Sequence, residues 1–506
     1  KSYAAFKTAY SARAPMVYVG ANDGMLHGFA EANGSEGIAY VPNAVFENLP
    51  DLADPTYSHR YFADAGPTIV DAYLATMDDP ASAVDGLWRT VLASGLGGGG
   101  QAVFALDVTN PATFDEANAA SLVLWEFDDA DDADLGYTYG KPQIAKMANG
   151  RWAAVFGNGY NNTEADGNVS ASGDAVLFIV DLETGDLIRK LSTNAGTVAT
   201  PNGLATPTLV DYNGDLQVDI IYAGDLLGNM WKFDVSNANP GQWDSDYRSG
   251  PNPRPLFTTE ANQAITTQPQ VAFHPDGRDG FMVYFGTGQY LEIDDNDPLS
   301  QPTQAFYGIW DKNENSLTAF DSSDLVIQTI DNQYNEGFDT DENGSEDAFY
   351  VLREMSDNDL DFDTAMGWKI NLRPEAVEGV ANANNFGERQ VSNAVVRDGR
   401  VIFTTLIPSQ QPCDFGGSSF VMQVNYRDGG ALGFPAFDLN GDGVFDEVDT
   451  NASGRMSDVG IVPTLSILSD SDRDLAFGSG SSGDVDVMEL NTGTTASGRQ
   501  SWRQLD

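Results

Sequence analysis

Tyr18-Val-Gly20-Ala-Asn-Asp-Gly24-Met-Leu26-His27-Gly-Phe29 aligns without a gap on Tyr222-Ala-Gly224-Asp-Leu-Leu-Gly228-Asn-Met230-Trp231-Lys-Phe233. The tyrosine, both glycines, an apolar residue and the phenylalanine keep their spacing across some two hundred residues. Each copy reads as strand, tight glycine turn, strand, with the glycines supplying positive φ. Shorter copies stand at Val283-Tyr-Phe-Gly286-Thr-Gly288, Val155-Phe-Gly157-Asn-Gly159 and Ala476-Phe-Gly478-Ser-Gly480. A second recurring unit ends an apolar strand in aspartate and a turn: Phe104-Ala-Leu-Asp107-Val-Thr109, Phe178-Ile-Val-Asp181-Leu-Glu-Thr184-Gly185 and Phe233-Asp234-Val235.

Hairpins repeated over the whole length are what propeller blades look like in sequence, because each blade buries its faces only against its neighbours. Between them lie clusters of Gly, Asn, Asp and Pro, and long helical periodicity is scarce, so the class is all-β. At roughly 40 to 50 residues per blade, six to eight blades leave residues over for inter-strand insertions. The acidic stretches near 128–134, 237–255, 290–304, 331–347 and 435–456 are the candidates. The expectation is a modified β-propeller with long inter-strand insertions, forming one domain over residues 1–506; a β-sandwich with common glycine turns is the alternative. Trp88, Trp125, Trp152, Trp231, Trp310 and Trp502 are expected to pack between blades.

Charge narrows the function. The 506 residues carry 75 acidic against 26 basic side chains, a net −49. Such a surface repels phosphate backbones and anionic headgroups and concentrates cations, so no nucleic-acid partner and no direct membrane insertion are expected. No run of about 20 apolar residues is present, and Lys1-Ser-Tyr-Ala-Ala-Phe lacks the basic-then-apolar pattern of a signal peptide; such a segment, if the protein has one, precedes Lys1. Cys413 is the single cysteine and His27, His59 and His274 the three histidines, which removes cysteine-rich zinc sites and makes a Ser-His-Asp triad improbable. Gly95-Leu-Gly97-Gly98-Gly99-Gly100 lacks the Lys-Ser/Thr of a phosphate loop and precedes a strand, so it reads as a flexible or close-packed turn.

The sharpest chemistry lies in loops with oxygen side chains at alternate positions. A hard ion such as Ca2+ takes six to eight oxygens, and a tight turn must bring them round one point. In Asp211-Tyr-Asn213-Gly-Asp215-Leu-Gln217-Val-Asp219, positions one, three, five and nine carry side-chain oxygens and the Gln217 carbonyl supplies position seven. Leu216 stands where a glycine is usual, and Tyr222 where an EF-hand has its bidentate Glu. The stretch reads as a nine-residue calcium loop closing a β-hairpin. Asp438-Leu-Asn440-Gly-Asp442-Gly443-Val444-Phe-Asp446-Glu-Val-Asp449 keeps the glycine and an acid at position twelve, closer to dockerin-type loops, with the Val444 carbonyl in the seventh place. A weaker third candidate is Asp339-Thr-Asp341-Glu-Asn343-Gly344-Ser345-Glu-Asp347. Asp128-Asp129-Ala-Asp131-Asp132-Ala-Asp134 and Asp294-Asp295-Asn296-Asp297 read as solvated acidic loops. The bland reading of each is an Asx turn.

Taken together, Val17–Phe29, Phe104-Ala-Leu-Asp-Val-Thr-Asn-Pro111, Leu135-Gly-Tyr-Thr-Tyr-Gly-Lys-Pro142, Tyr222–Asp234, Phe285-Gly-Thr-Gly-Gln-Tyr-Leu291, Phe306-Tyr-Gly-Ile-Trp-Asp311 and Gly498-Arg-Gln-Ser-Trp-Arg503 resemble the C-terminal propeller of the PilY family of type IV pilus biogenesis proteins and tip-associated adhesins. The resemblance covers nearly the whole chain. It implies a seven-bladed modified propeller, exported and extracytoplasmic, on the pilus (fimbrium) or outer cell surface, with minor pilins and other pilus assembly components as partners and a host or abiotic surface as ligand. It also implies a nine-residue calcium loop whose occupancy favours pilus extension over retraction, a role that falls on Asp211, Asn213, Asp215, Gln217 and Asp219. The N-terminal region of the family, often with a von Willebrand A-like adhesive domain, has no counterpart in residues 1–506. The expectation is a non-enzymatic, calcium-binding module for pilus biogenesis, adhesion and twitching motility. Two other readings stand beside it. A quinoprotein-like enzyme would need axial acidic ligands, a catalytic aspartate and usually adjacent cysteines, against which the isolated Cys413 counts; a glycan-binding adhesin would use exposed aromatic rings.

Overall fold

The computed structural model describes residues 2–75, 86–314, 318–341, 343–379, 386–411, 415–469 and 473–493. Cys413, Trp502 and the 498–503 stretch lie outside the described residues. Two compact units make up the chain, the first comprising Lys1–Leu226, Trp231–Pro255 and Gln504–Asp506, the second Leu227–Met230 and Leu256–Arg503.

In the first unit a short helix α1 (Tyr3–Ala9) precedes four antiparallel sheets met in chain order. The first has three strands, β1 (Met16–Gly20), β2 (Leu26–Ala30) and β3 (Glu36–Tyr40). The second has β4 (Thr68–Leu74), β5 (Leu87–Gly95), β6 (Ala102–Asp107) and β7 (Val123–Asp128), and the third β8 (Gln143–Lys146), β9 (Trp152–Gly157), β10 (Asp174–Asp181) and β11 (Leu187–Gly196). The fourth holds β12 (Thr208–Val210), β13 (Ile220–Gly224), β14 (Asn229–Asp234) and β15 (Asp244–Ser245). Within each, neighbours in sequence are neighbours in space, as stacked propeller blades require. Strands β6 and β10 read as unbroken apolar runs because the residues of both faces are buried. One core holds Val91, Val103 and Phe127 of the second sheet against Phe156 and Phe178 of the third; Trp88 and Trp152 meet edge to face across the same pair of sheets at 6.2 Å.

The repeated motifs fold as hairpins. Met16 pairs with Ala30 through to Gly20 with Leu26, and the left-handed residues are Gly24 (φ 95°) and Gly228 (φ 83°), the second glycine of each copy. The first glycine has a different duty from the one its sequence suggested. A Cβ on Gly20 would stand 2.3 Å from the Ala63 carbonyl oxygen, and one on Gly157 would stand 2.3 Å from that of Leu204, so close backbone approach and not positive φ excludes a side chain there. The strand-ending aspartates repeat as well: Asp107, Asp181 and Asp234 each accept the amide two residues on, at 2.9, 3.0 and 2.9 Å.

The second unit contains a small ribbon strand β18 (Phe257–Thr258) paired with Asn229–Met230, while the first unit's ribbon is β16 (Arg248–Ser249) with β17 (Asn252–Pro253). Its main element is a ten-stranded sheet. The strands are β19 (Gln270–Phe273), β20 (Phe281–Gly286), β21 (Ala305–Asp311), β22 (Val326–Phe338), β23 (Ala348–Met355), β24 (Gly367–Pro374), β25 (Val395–Arg397), β26 (Arg400–Thr404), β29 (Phe420–Asn425) and β30 (Gly454–Met456), with the two-stranded pair β27 (Ile407–Pro408) and β28 (Gly417–Ser418) between them in sequence. Their spatial order is β19-β20-β21-β24-β22-β23-β30-β29-β26-β25, and β19 and β25 lie beside each other, so the sheet is nearly a closed barrel. A separate sheet of β31 (Ser466–Ser469), β32 (Arg473–Ser479) and β33 (Val485–Asn491) follows. Among the described residues the strand pairing yields five sheets of three to five strands, two two-stranded ribbons and one sheet of ten strands rather than seven separate blades. The cause is β22: it pairs in parallel with β24, Val326 opposite Trp368, while its other edge forms a long hairpin with β23. Much of the 331–347 stretch is thereby strand, not an irregular insertion. Trp368, stacked Phe306 and Phe403 at 4.1 Å, Met422 and Val424 fill the core of this unit. No helix among the described residues is long and apolar enough to cross a membrane.

Candidate metal centre

Strand β12 ends at Val210 and β13 begins at Ile220, so residues 211–219 form the turn of one hairpin. Asp211 organises it: its Oδ1 accepts the Gly214 amide at 2.7 Å and its Oδ2 that of Leu216 at 2.8 Å. Asn213 Oδ1 accepts from Asp215 N–H at 2.9 Å, and Asp215 Oδ1 accepts from Gln217 N–H at 2.9 Å. Asp219 closes the ring, accepting the Tyr212 amide at 3.1 Å and the Asn213 side-chain amide at 3.1 Å. Leu216 carries φ 65° and is 75% exposed, so the leucine occupies the left-handed backbone that a glycine usually takes and buries almost nothing in return.

The 438–449 loop has the same wiring. Asp438 accepts from Gly441 at 2.7 Å and from Gly443 at 2.8 Å, the same offsets as in the first loop, and Gly443 has φ 77°. Asn440 accepts from Asp442 at 3.1 Å and Asp442 from Val444 at 2.7 Å. Closure comes from Asp449, fully buried, which accepts the Leu439 amide at 2.8 Å and that of Asp446 at 3.1 Å. The third loop, at the tip of the β22–β23 hairpin, follows suit on an exposed surface. Asp339 accepts from Asn343 at 3.1 Å and Gly344 at 2.6 Å, Asn343 accepts from Ser345 at 3.0 Å, and Asp347 closes by accepting the Thr340 amide at 2.9 Å; Asp341 Oδ2 accepts from the Asn343 side chain at 2.9 Å. The three loops are thus one device with the closing acid at position nine, twelve and nine.

Electrostatics inside the first two loops favour a cation, whereas in the third the Thr340 hydrogen bonds hold the exposed Asp347 carboxyl below the usual carboxylate range. Burial, opposed by the Tyr212 and Asn213 bonds and reinforced by the charges of Asp215 and Asp211, holds the Asp219 carboxyl above the usual carboxylate range. Burial likewise raises Asp449, with Asp438 adding to the rise. Every side-chain donor is an oxygen, the donor set of a hard divalent ion. Among the described residues no three carboxylate, thiol or imidazole side chains converge as a ready-made metal cluster; an ion in the first loop would draw on the Asn213 amide oxygen and the Gln217 carbonyl as well as on Asp211, Asp215 and Asp219. These residues fit such an ion by chemistry and charge.

The other acidic runs serve differently from the solvated loops their sequence suggested. Asp132 and Asp134 both hold Lys190 at 2.6 Å, and Asp134 also takes the Ser172 hydroxyl at 3.1 Å. Asp295 is buried and caps its own turn through the Leu291 and Glu292 amides at 2.8 and 2.9 Å. The glycine run 95–100 is a close-packed turn, since a Cβ on Gly99 would overlap the Phe62 carbonyl oxygen at 1.5 Å. Sequence spacing singles out the loop acids as candidates but not the backbone amides that orient them, which no residue type advertises.

Comparison with known proteins gives this geometry its setting. The model of the PilY1 beta-propeller domain matches residues 1–342. A type IV pilus biogenesis factor PilY1 homolog of Xylella fastidiosa is 38% identical over 92% of this chain and 30% of its own length. The type IV pilus biogenesis factor PilY1 of Pseudomonas aeruginosa strain UCBPP-PA14 is 34% identical over 100% of this chain and 43% of its own. The chain therefore spans less than half the length of these relatives, which are named as biogenesis factors and not as enzymes. The crystal structure of the Pseudomonas aeruginosa PilY1 C-terminal domain superposes with a TM-score of 0.75 at 31% identity, covering 97% of this chain and 95% of that one. A family model matching well over half the residues, together with relatives above 30% identity across nearly all of them, establishes that the chain belongs to the PilY1 β-propeller family.

Proposed function

We propose that this chain is a calcium-responsive module of type IV pilus biogenesis, acting outside the cytoplasm at the pilus tip or cell surface together with minor pilins. The observation that carries the proposal is the shared wiring of the 211–219, 438–449 and 339–347 loops within a chain of the PilY1 family. Three loops in which one aspartate orders the amides three to five residues on, and a second acid closes the turn, each supply oxygen donors at the spacing a hard cation uses. Calcium bound at Asp211, Asn213, Asp215, the Gln217 carbonyl and Asp219 relieves the repulsion that crowds Asp219, stiffens the β12–β13 hairpin and alters the surface offered to a pilus partner. Occupancy then biases extension over retraction, and with it twitching motility and adhesion to host or abiotic surfaces.

The blade count belongs to the same proposal. The ten-stranded sheet contains two four-stranded sets, β19-β20-β21-β24 and β30-β29-β26-β25, joined by the β22–β23 hairpin. Counting each set as a blade beside the five separate sheets supports a seven-bladed propeller in which two neighbours are fused.

Calorimetric titration of the metal-stripped chain tests the module directly, beside an Asp211→Ala/Asp219→Ala variant and an Asp438→Ala/Asp442→Ala variant. Each variant is expected to lose one distinct binding event, and cells carrying the first to lose surface pili or twitching. An intact chain that takes up no calcium removes the mechanism; a variant that loses binding while pilus number and twitching stay normal removes the regulatory role.

A further inference from the structure

The first unit carries a cleft of about 1010 Å3 that neither the loops nor the relatives' names account for. One wall is supplied by the 43–61 segment, and the Gly98–Gly100 turn, the 128–130 turn, Tyr137 and the 164–168 loop complete the lining. Phe46 (53%), Tyr57 (39%) and Tyr61 (47%) expose their rings on that wall, an unusual outlay of aromatic surface to water. Tyr61 lies so close to the glycine turn that a Cβ on Gly98 would sit 2.9 Å from its ring. Asp128, Asp129, Glu164 and Asp166 line the same cleft. Of the charged residues lining the cleft seven are acids and one is basic, Arg60, already held by Asp51 at 2.6 Å.

Two of these carboxylates, Glu164 and Asp129, are incompletely compensated. Glu164 bonds the Tyr137 hydroxyl, yet its Oε2 is buried without a hydrogen-bond partner. Burial, with Asp166 and Asp128 adding to it, pushes the Asp129 carboxyl up despite the Asn168 bond. A cation in the cleft would offset the charge at Asp129 directly and that of Glu164 through space. The chain itself displays the recognition in miniature, for Arg60 rests over the Phe62 ring at 5.8 Å while its guanidinium meets Asp51.

From this arrangement we infer that the cleft lined by Tyr61 and Asp166 is a binding site for a basic peptide segment, taking lysine or arginine side chains on its aromatic rings and carboxylates. Faces of Tyr and Phe attract ammonium and guanidinium groups, and carboxylates complete their hydrogen bonds. Phosphate-bearing and sulfated or sialylated ligands are repelled by the same carboxylates. A neutral sugar could stack on the rings but would leave the acids uncompensated.

The probe is a short, end-blocked, fluorescent peptide with two arginines separated by one residue, followed by anisotropy at physiological ionic strength, beside its isosteric citrulline counterpart. The variants are F46A/Y61A, which changes no charge, E164Q/D166N in the same lining, and D294N/D297N, which removes two charges in the second unit. The arginine peptide is expected to bind and the citrulline one not; F46A/Y61A and E164Q/D166N each weaken binding about tenfold or more, while D294N/D297N leaves it within about twofold. The substituted rings are exposed, so an unchanged melting temperature certifies folding. Equal weakening by D294N/D297N would reduce the binding to general attraction by a polyanion and overturn the site, as would absence of arginine-peptide binding. Binding of a neutral oligosaccharide that F46A/Y61A abolishes, with the arginine peptide ignored, would make the cleft a sugar site and overturn the proposal equally.

Discussion

Replacing Asp219 by asparagine separates the two things this buried acid does. At 4% exposure and beside Asp211 and Asp215, the Asp219 carboxyl titrates above its unfolded value, so its contribution to stability is present below the ordinary carboxylate range and is lost as pH rises through the folded value. At neutral pH without calcium the ionised group is therefore a burden. Asparagine removes the charge but also one acceptor, because Oδ2 takes the Tyr212 amide and Oδ1 the Asn213 side chain; a lost hydrogen bond of this kind costs about 1 kcal/mol. The two effects oppose, and D219N in chelator is expected to melt within about 2 °C of the parent. Under the proposed function, calcium is expected to break the tie. A single site at a hundredfold excess over its Kd adds about 2.7 kcal/mol. For the first unit, roughly 250 residues melting with about 0.5 kcal/mol/K of entropy, that is a rise of about 5 °C, and about half that if both units melt together. Scanning calorimetry of parent and D219N, each with chelator and with saturating calcium, reads the difference of differences. The parent's increment should shrink in D219N by that amount, the other two loops contributing equally to both. An undiminished increment in D219N refutes the assignment of an ion to this loop.

Other substitutions probe neighbouring parts of the argument. L216G is expected to stabilise the ion-free chain by about 0.5 to 1 kcal/mol in urea denaturation, because relief at φ 65° exceeds the extra chain entropy and the exposed side chain gives up no packing; a loss of more than 1 kcal/mol would show that leucine has a contact role. His274 is buried against Trp310 and Phe362 at 4.6 and 4.2 Å, and burial, aided by Arg278 and Arg427 and opposed by Asp276, pulls it down to about 4. The neutral ring is what the fold accepts, so stability should be full above pH 6.5 and fall by on the order of 3 kcal/mol as pH drops toward 4, a slope that H274F flattens. Arg353 and Glu388 form a fully buried bidentate pair at 2.6 and 2.7 Å, with Phe420 stacked 3.4 Å from the guanidinium. R353M alone should cost about 3 to 5 kcal/mol, and R353M/E388M distinctly less, because only the single change strands a buried charge.

Local features were legible in the sequence because their hydrogen bonds close within a few residues. The Tyr18 and Tyr222 copies, the aspartate turns at Asp107 and Asp181, and the 211–219 loop all satisfy themselves over short spans, so residue type predicts geometry. Leu216 shows the rule at its strongest: a departure from pattern in sequence is a departure from preferred backbone in space. What escaped is what depends on residues far apart in the chain. Nothing near Val326 announces that β22 will lie parallel to β24, and that pairing fuses strands that the repeat arithmetic would assign to separate blades. Gly20 was read as a turn glycine because its neighbour in the motif is one, whereas the Ala63 carbonyl decides its identity. The aromatic cleft likewise joins Phe46, Gly98, Asp128 and Glu164, four stretches with no pattern in common.

The return of β25 to the side of β19 has a bearing on how the second unit can be approached. Open sheets recruit partners by lending an unpaired edge to an incoming strand, and many surface assemblies grow in that manner. A sheet curled until its outermost strands stand side by side keeps little such edge to lend. What such a sheet leaves open to a partner is side chains on its exposed turns, of which the acidic 339–347 tip of the β22–β23 hairpin is one. Such an arrangement leaves little main chain open to indiscriminate strand pairing.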